Sequence, residues 1–297
     1  MNIQTISVVV PAQGCVNNCK FCISNQHWQD YKYRFDAIQY RKRIKFAANN
    51  NVNTLVLTGT GEVLQNTRFL KAFKEVLDSE GHPFPNVAVQ TTGVMLIEND
   101  NVGLQNNREL LKSLGVNTIS LSVSDIFSDE NNWKTNGTPK KLQQPLARIA
   151  KYITDAGWTL RMSLNLTDVY DDKTPEEIVA RCKKLGAEQI TFRKLYSEGT
   201  DTPEARWVEE HSLVPVRFYK GNLYGVDGIK NYIKEAGSKL YKLPFGPFVY
   251  SLHGMSTVLD DDCMAKDGEA DDTLKYVILR ENGKLYCRWD DEGSIIF

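Results

Sequence analysis

The sequence predicts an α/β protein built on a parallel sheet. Short apolar runs alternate with longer helical patterns from the N-terminus to about residue 195. Six such β-α repeats imply parallel strands joined by right-handed crossovers. The same alternation also fits an open, doubly wound sheet. What favours a curved, TIM-type barrel is the polar chemistry, which falls at the C-terminal ends of several different strands. After Tyr196 the pattern changes, and the remaining residues read as an α+β extension.

Taken in order, strands are expected at 5–10, 54–58, 87–91, 118–123, 159–166 and 189–192, each rich in Val, Ile, Leu or Thr and bounded by turn or cap residues. Helices are expected at 35–49, 68–78, 107–114, 142–156 and 175–185. The last begins Thr174-Pro175-Glu176-Glu177, a cap residue, a first-turn proline and two acids at the positive end of the helix dipole. Gly115, Gly157 and Gly186 follow helical runs, where a left-handed C-terminal cap favours glycine. Beyond Tyr196 the expectations are a helix at about 227–236 and two strand-like pieces, 248–259 and 274–289. Asn282-Gly283 is placed for a hairpin turn in the second. No Gly/Ser- or Pro-rich linker separates this part, so residues 197–297 are expected to pack on a domain formed by 1–196.

At 297 residues and 41% hydrophobic content the chain can bury a full core. A net charge of −1 argues against a generally basic nucleic-acid binder. The charge is nonetheless uneven: residues 1–50 carry seven Lys and Arg against two Asp, and 255–297 five against eleven acids. The run Arg41-Lys42-Arg43 with Lys45 reads as a solvated helix face. Neither a signal peptide nor a membrane span is expected, and the clustered cysteines fit a reducing compartment, so the expected location is cytoplasmic.

Cys15, Cys19 and Cys22 stand in the pattern C-x3-C-x2-C. Soft thiolates at this spacing suit an iron-sulfur cluster or zinc. Zinc wants a fourth ligand, for which His27 is nearest in sequence. A [4Fe-4S] cube held by three cysteines keeps one iron open for other chemistry. Further on, Leu57-Thr-Gly-Thr-Gly-Glu62 ends the second strand with glycines that permit close backbone approach and a carboxylate suited to an ammonium group. Ser120, Ser122 and Ser124 alternate along the fourth strand, and Arg161, Ser163 and Asn165 along the fifth; each set shares one face. Arg193 lies at the rim of the sixth.

The cysteine loop, with Phe21 in its aromatic place, resembles that of the radical S-adenosylmethionine (radical SAM) superfamily, and Gly59-Thr60-Gly61-Glu62 resembles its Gly-Gly-Glu motif. The departures are Thr60 and, in place of the usual proline, Val63. The resemblance covers about residues 1–200 and implies a partial (β/α)6 TIM-type barrel. It implies a [4Fe-4S] cluster on Cys15, Cys19 and Cys22 and S-adenosylmethionine as cofactor, with Phe21, Gly59, Thr60, Gly61, Glu62, Ser122, Ser163, Asn165 and Arg193 toward it. The implied activity is reductive cleavage of SAM to a 5′-deoxyadenosyl radical that abstracts hydrogen from a small-molecule or peptide substrate. A reductant such as flavodoxin or ferredoxin is the implied partner.

Two other readings stand beside it. One is modification of an RNA nucleoside, which the near-neutral charge weighs against. The other is a non-catalytic iron-sulfur or zinc protein. Of the remaining cysteines, Cys263 and Cys287 are candidate hydrogen donors and Cys182 falls in a helix. His253-Gly254 and Asp260–Asp262 mark either a pocket or ordinary strand and turn residues. The C-terminal 295–297 is expected to tuck against the body.

Overall fold

The computed structural model describes residues 2–12, 14–26, 33–97, 107–197, 199–219, 221–243, 247–260, 269–270, 273–289 and 291–297. The chain begins β1 (Asn2–Val10), α1 (Ile23–Gln26), α2 (Ala37–Asn49), β2 (Thr54–Gly59), α3 (Thr67–Ser79), β3 (Asn86–Thr91) and α4 (Arg108–Ser113). It continues through β4 (Thr118–Val123), α5 (Asp129–Thr135), α6 (Leu146–Asp155), β5 (Thr159–Leu166), α7 (Pro175–Lys184) and β6 (Gln189–Lys194). The remainder holds α8 (Pro203–His211), β7 (Arg217–Tyr219), β8 (Asn222–Tyr224) and α9 (Gly225–Ala236). Last come β9 (Ser238–Lys242), β10 (Phe248–Leu252), β11 (Met255–Asp260), β12 (Glu269–Ala270), β13 (Thr273–Leu279) and β14 (Leu285–Tyr286). All six expected strands of the repeat region are present. Among the described residues no helix is long and apolar enough to cross a membrane.

The chain divides into two compact units. The first comprises Met1–Val16, His27–Ile119 and Lys266–Phe297. Its strands run in the order β12-β13-β1-β2-β3. From β13 to β3 they are parallel, with Val8 opposite Leu279 on one side and Leu57 on the other. Residues 6–9 of β1 are all buried, as a strand covered on both faces requires. Tyr40 of α2 and Phe69 and Phe73 of α3 are fully buried with their ring centroids about 6 Å apart, and Phe35 joins them edge-on. Asp36 caps α2 and Asn66 caps α3 through side-chain oxygens that accept from first-turn N–H groups. The basic run on α2 is mostly exposed, as expected, while Arg43 sits over the ring of Phe297. The C-terminus is indeed tied down, since Ile296 N–H donates to Leu285 O.

The second unit comprises Asn17–Gln26 and Ser120–Ala265. Its strands run β4-β5-β6-β11-β10-β9. β5, β6 and β11 are parallel; β10 and β9 return antiparallel. Leu160, Met162, Leu164 and Leu166 are buried on one face of β5, which leaves Arg161, Ser163 and Asn165 to the other. Thr174 caps α7 in a complete capping box with Glu177, and Pro175 occupies the first turn. Gly157 and Gly186 take the left-handed conformation after their helices, as Gly115 does in the first unit.

Beyond residue 196 the helix expected at about 227–236 is present as α9, but other elements depart from the sequence expectation. The strand expected over 248–259 is a hairpin, because His253 and Gly254 both adopt positive φ (51° and 83°) and turn the chain. Two successive left-handed residues match the twist of the strands they join. His253 is therefore a turn residue; its ring bonds Tyr232 Oη at 2.8 Å. The Asn282-Gly283 turn appears as expected between β13 and β14. Helices α5 and α8 were not anticipated, being short and polar with few buried positions.

The aromatic cluster is part of the buried core of the first unit. Phe73→Ala is expected to cost about 3–5 kcal/mol, read as a lower urea midpoint at an unchanged m-value.

Candidate functional site

In the first unit, the chain leaving β1 is drawn against the turn that follows β2. Asn66 Nδ2 donates to Pro11 O at 2.8 Å, and Val16 N–H donates to Gln65 Oε1 at 2.9 Å. The same Gln65 oxygen accepts from Glu62 N–H at 3.3 Å. Glycine is needed here for proximity. A Cβ on Gly61 would lie 2.7 Å from Gly14 O and 2.8 Å from Ala12 Cβ; one on Gly59 would lie 2.8 Å from Val10 O. The motif thus brings its backbone against the segment that leads into Cys15, which is itself exposed.

Glu62 is buried, 4% exposed. Thr91 Oγ1 donates to one carboxylate oxygen at 2.5 Å. Thr92 donates to the other through its N–H at 3.0 Å and its hydroxyl at 2.9 Å, and Leu64 N–H adds a fourth contact. Burial pushes the Glu62 carboxyl above the usual range, and these donors pull part of the way back. The carboxylate therefore joins the end of β2 to the end of β3.

In the second unit, Asn17–Gln26 carries Cys19 and Cys22, both half-buried. Cys22 N–H donates to Cys19 O, and Asn25 N–H to Cys22 O, so the loop turns directly into α1. One side of this arm rests on the end of α5. Asn18 N–H donates to Asn136 O and Lys20 N–H to Thr135 O, each at 3.1 Å, while Thr138 Oγ1 donates to Asn17 Oδ1. Gly137, at φ 57°, lies so close that a Cβ would stand 2.3 Å from Asn18 O. On the other side Asn25 Nδ2 donates to Glu204 Oε1, Gln26 Nε2 donates to Tyr196 O, and the Phe21 ring lies 6.1 Å from that of Trp207.

The polar face of the second unit's strands gathers several expected residues. Asn165 Nδ2 donates to Ser122 Oγ at 3.1 Å, and Ser163 is buried beside them on β5. Ser120 is buried on β4, whereas Ser124 is spent on structure, donating to Asn136 Oδ1 at 2.6 Å. Strand register puts Asn165 opposite Arg193 and Arg161 opposite Gln189, whose Oε1 accepts from Arg161 Nε at 2.7 Å. Burial and then the charge of Arg193 hold the Arg161 guanidinium below its usual value. Arg193 faces Asp260 at 3.9 Å.

Among the other candidates, Cys182 is buried with its thiol pushed up to about 12 by desolvation, which makes it an inert core residue. Cys287 is a half-buried free thiol in the first unit. His27, Cys263, Asp261 and Asp262 lie outside the described residues. Among the described residues no group of three His, Cys, Asp or Glu side chains stands gathered as a metal site. The donor set nevertheless fits a cluster, since three thiols of one loop supply soft ligands and metal binding itself draws such ligands together. Sequence reasoning missed Thr91, Thr92, Gly137 and Trp207. Of these, only Trp207 left a signal, a Thr202-Pro203-Glu204 helix start that repeats the pattern at Thr174.

The family model of the radical SAM superfamily matches residues 9–185. No curated protein sequence matches. Among solved structures, Streptococcus suis SuiB bound to S-adenosylmethionine superposes with a TM-score of 0.56 at 14% identity, over 96% of this chain and 60% of that one. SuiB bound to its precursor peptide SuiA gives 0.53 at 15%, over 96% and 59%. anSMEcpe with bound AdoMet and Cp18Cys peptide gives 0.57 at 11%, over 98% and 75%. The chain spans about three-fifths of the length of SuiB. These likenesses show the fold, an α/β partial TIM-type barrel.

Two measurements probe the geometry. Gly137→Ala forces a left-handed alanine into Asn18 O and is expected to destabilise by about 2 kcal/mol or more. Mass-spectrometric alkylation will detect faster labelling of Cys22. For Glu62, a folded-state pKa above the unfolded one means the native protein binds that proton more tightly. Stability from this group is greatest on the acid side and falls as pH rises from the ordinary carboxylate range through the folded value. The melting-temperature difference between wild type and Glu62→Gln is therefore expected to move against wild type as pH rises; a difference that is flat with pH refutes the assignment.

Proposed function

The chain belongs to the radical SAM superfamily, and from that premise we propose that it is an enzyme that reductively cleaves S-adenosylmethionine and removes a hydrogen atom from a small-molecule or peptide substrate. The observation that carries this is the family match over residues 9–185, which takes in Cys15, Cys19, Cys22 and the Gly59–Glu62 turn. When bound, a [4Fe-4S] cluster supplies the electron that splits SAM into methionine and a 5′-deoxyadenosyl radical.

The chain's own residues then have the following parts. Cys15, Cys19 and Cys22 hold the cluster. Gly59, Thr60 and Gly61 offer backbone groups to the amino-acid end of SAM, and Glu62 keeps that backbone in place through Thr91 and Thr92. Ser122 and Asn165, already in mutual contact, offer a hydroxyl and an amide to the ribose, with Ser163 beside them. Arg193 offers its guanidinium to the SAM carboxylate, and Phe21 packs beside the cluster loop. Residues 1–196 form the catalytic portion and 197–297 the extension. A peptide substrate is supported by the peptide-bound states of SuiB and anSMEcpe, which share the fold. A cytoplasmic reductant such as flavodoxin or ferredoxin is the source from which the cluster would be reduced.

Anaerobic reconstitution followed by dithionite and SAM is expected to yield 5′-deoxyadenosine, detected by chromatography and abolished by Cys19→Ala. Iron-loaded wild type that forms none sinks the reading.

A further inference from the structure

We propose that Trp207 of α8 is a positioning residue that holds the Cys19–Cys22 arm and shields it from water. The inference rests on that arm carrying two cluster ligands, as in the function proposed above. It assigns the extension a part in the site that no family motif supplies.

Helix α8 is anchored independently of the arm. Thr202 caps its start, accepting from Ala205 N–H, and Pro203 occupies its first turn. Ala205 and Val208 are buried beneath it. Its end is tied to β5, because Leu213 N–H donates to Leu166 O at 3.0 Å. His211 Nδ1 bonds Asp168 Oδ2 at 2.8 Å, just past β5. The Trp207 ring stacks on that fixed His211 ring, with centroids 4.6 Å apart and planes 29° apart. Trp207 is thus clamped from behind and meets Phe21, between Cys19 and Cys22, from the front at 6.1 Å. The bond from Asn25 to Glu204 adds a polar tie one turn earlier on the same helix.

Such a cover matters because an iron-sulfur cluster gains negative charge on reduction. Water around the thiolates stabilises the reduced form and raises the potential, and it also admits oxygen. A bulky indole, itself held by a stacked ring, keeps this side dry and the loop at one geometry. Trp207→Ala opens that side without removing any ligand.

The test uses the reconstituted full chain. Trp207→Ala is expected to bleach its cluster absorbance in air at least fivefold faster than wild type and to move its reduction potential upward in a redox titration followed by electron paramagnetic resonance. Trp207→Phe is expected to restore both toward wild type, and Arg206→Ala, on the exposed side of α8, to leave both unchanged. Should Trp207→Ala fail to fold, Trp207→Leu keeps apolar bulk and is read in its place. Wild-type bleaching and potential in the variant overturn the proposal, as does an equal effect of Arg206→Ala. Wild type that assembles no [4Fe-4S] cluster overturns the radical SAM reading, and this inference with it.

Discussion

Glu62 is buried with its two carboxylate oxygens facing donors from Thr91, Thr92 and Leu64, and the turn it anchors is the one on which Gly59 and Gly61 sit. The consequences run outward. With the carboxylate fixed at the end of β3, the Gly61 backbone can lie within van der Waals distance of Gly14 and Ala12. Gln65, on the same turn, can then accept from Val16, one residue past Cys15. A buried carboxylate is costly to desolvate, and charge-assisted donors at 2.5–3.0 Å are what offset that cost. Losing one donor would leave the charge underbonded. Losing the carboxylate would leave the hydroxyls of Thr91 and Thr92 without it.

The arm carrying Cys19 and Cys22 is held by a different principle. It is irregular chain, so its order comes from its neighbours. On one side main-chain bonds to Thr135 and Asn136 require Gly137, whose missing side chain lets two backbones meet. On the other side Gln26 reaches the Tyr196 carbonyl, and side chains of α8, an element with its own anchors, meet Phe21 and Asn25. A loop pinned by backbone on one side and by side chains on the other leads straight into its short helix, Ile23–Gln26, which starts immediately behind Cys22.

Much of this was legible in the sequence, and the reasons are local. The strands at 118–123 and 159–166 were read at their structural bounds, because β-branched and apolar alternation between capped helices is a strong signal. Thr174, Gly115, Gly157 and Gly186 behave as their chemistry requires. The Gly59–Glu62 turn was legible as a motif, but its carboxylate partners were not, because Thr91 and Thr92 lie about thirty residues away on another strand and leave no spacing to read. Beyond its Thr202-Pro203-Glu204 start, helix α8 is hidden by its composition. Only Ala205 and Val208 are buried, too narrow a stripe to show as a period among Pro, Gly and aromatic residues. His253-Gly254 lies between two strand-like apolar stretches with no stronger turn signal, so the hairpin reads as one strand, and the two positive φ angles are what divide it.

The late strands show why the region after residue 196 cannot be an afterthought to the sheet. β13 pairs with β1 in parallel from Asn2 to Val8, and β11 pairs with β6 in parallel from Gln189 to Arg193. Each covers one edge of a buried strand, and an uncovered edge in a parallel sheet leaves a row of unmet N–H and C=O groups. β1 is the strand that delivers the chain toward Cys15, and β6 is the strand that ends in Arg193. Cutting the chain at residue 196 would therefore strip hydrogen bonds from the two strands that deliver these residues. The extension is needed to cover these two strand edges before it can contribute Trp207 or anything else to the site.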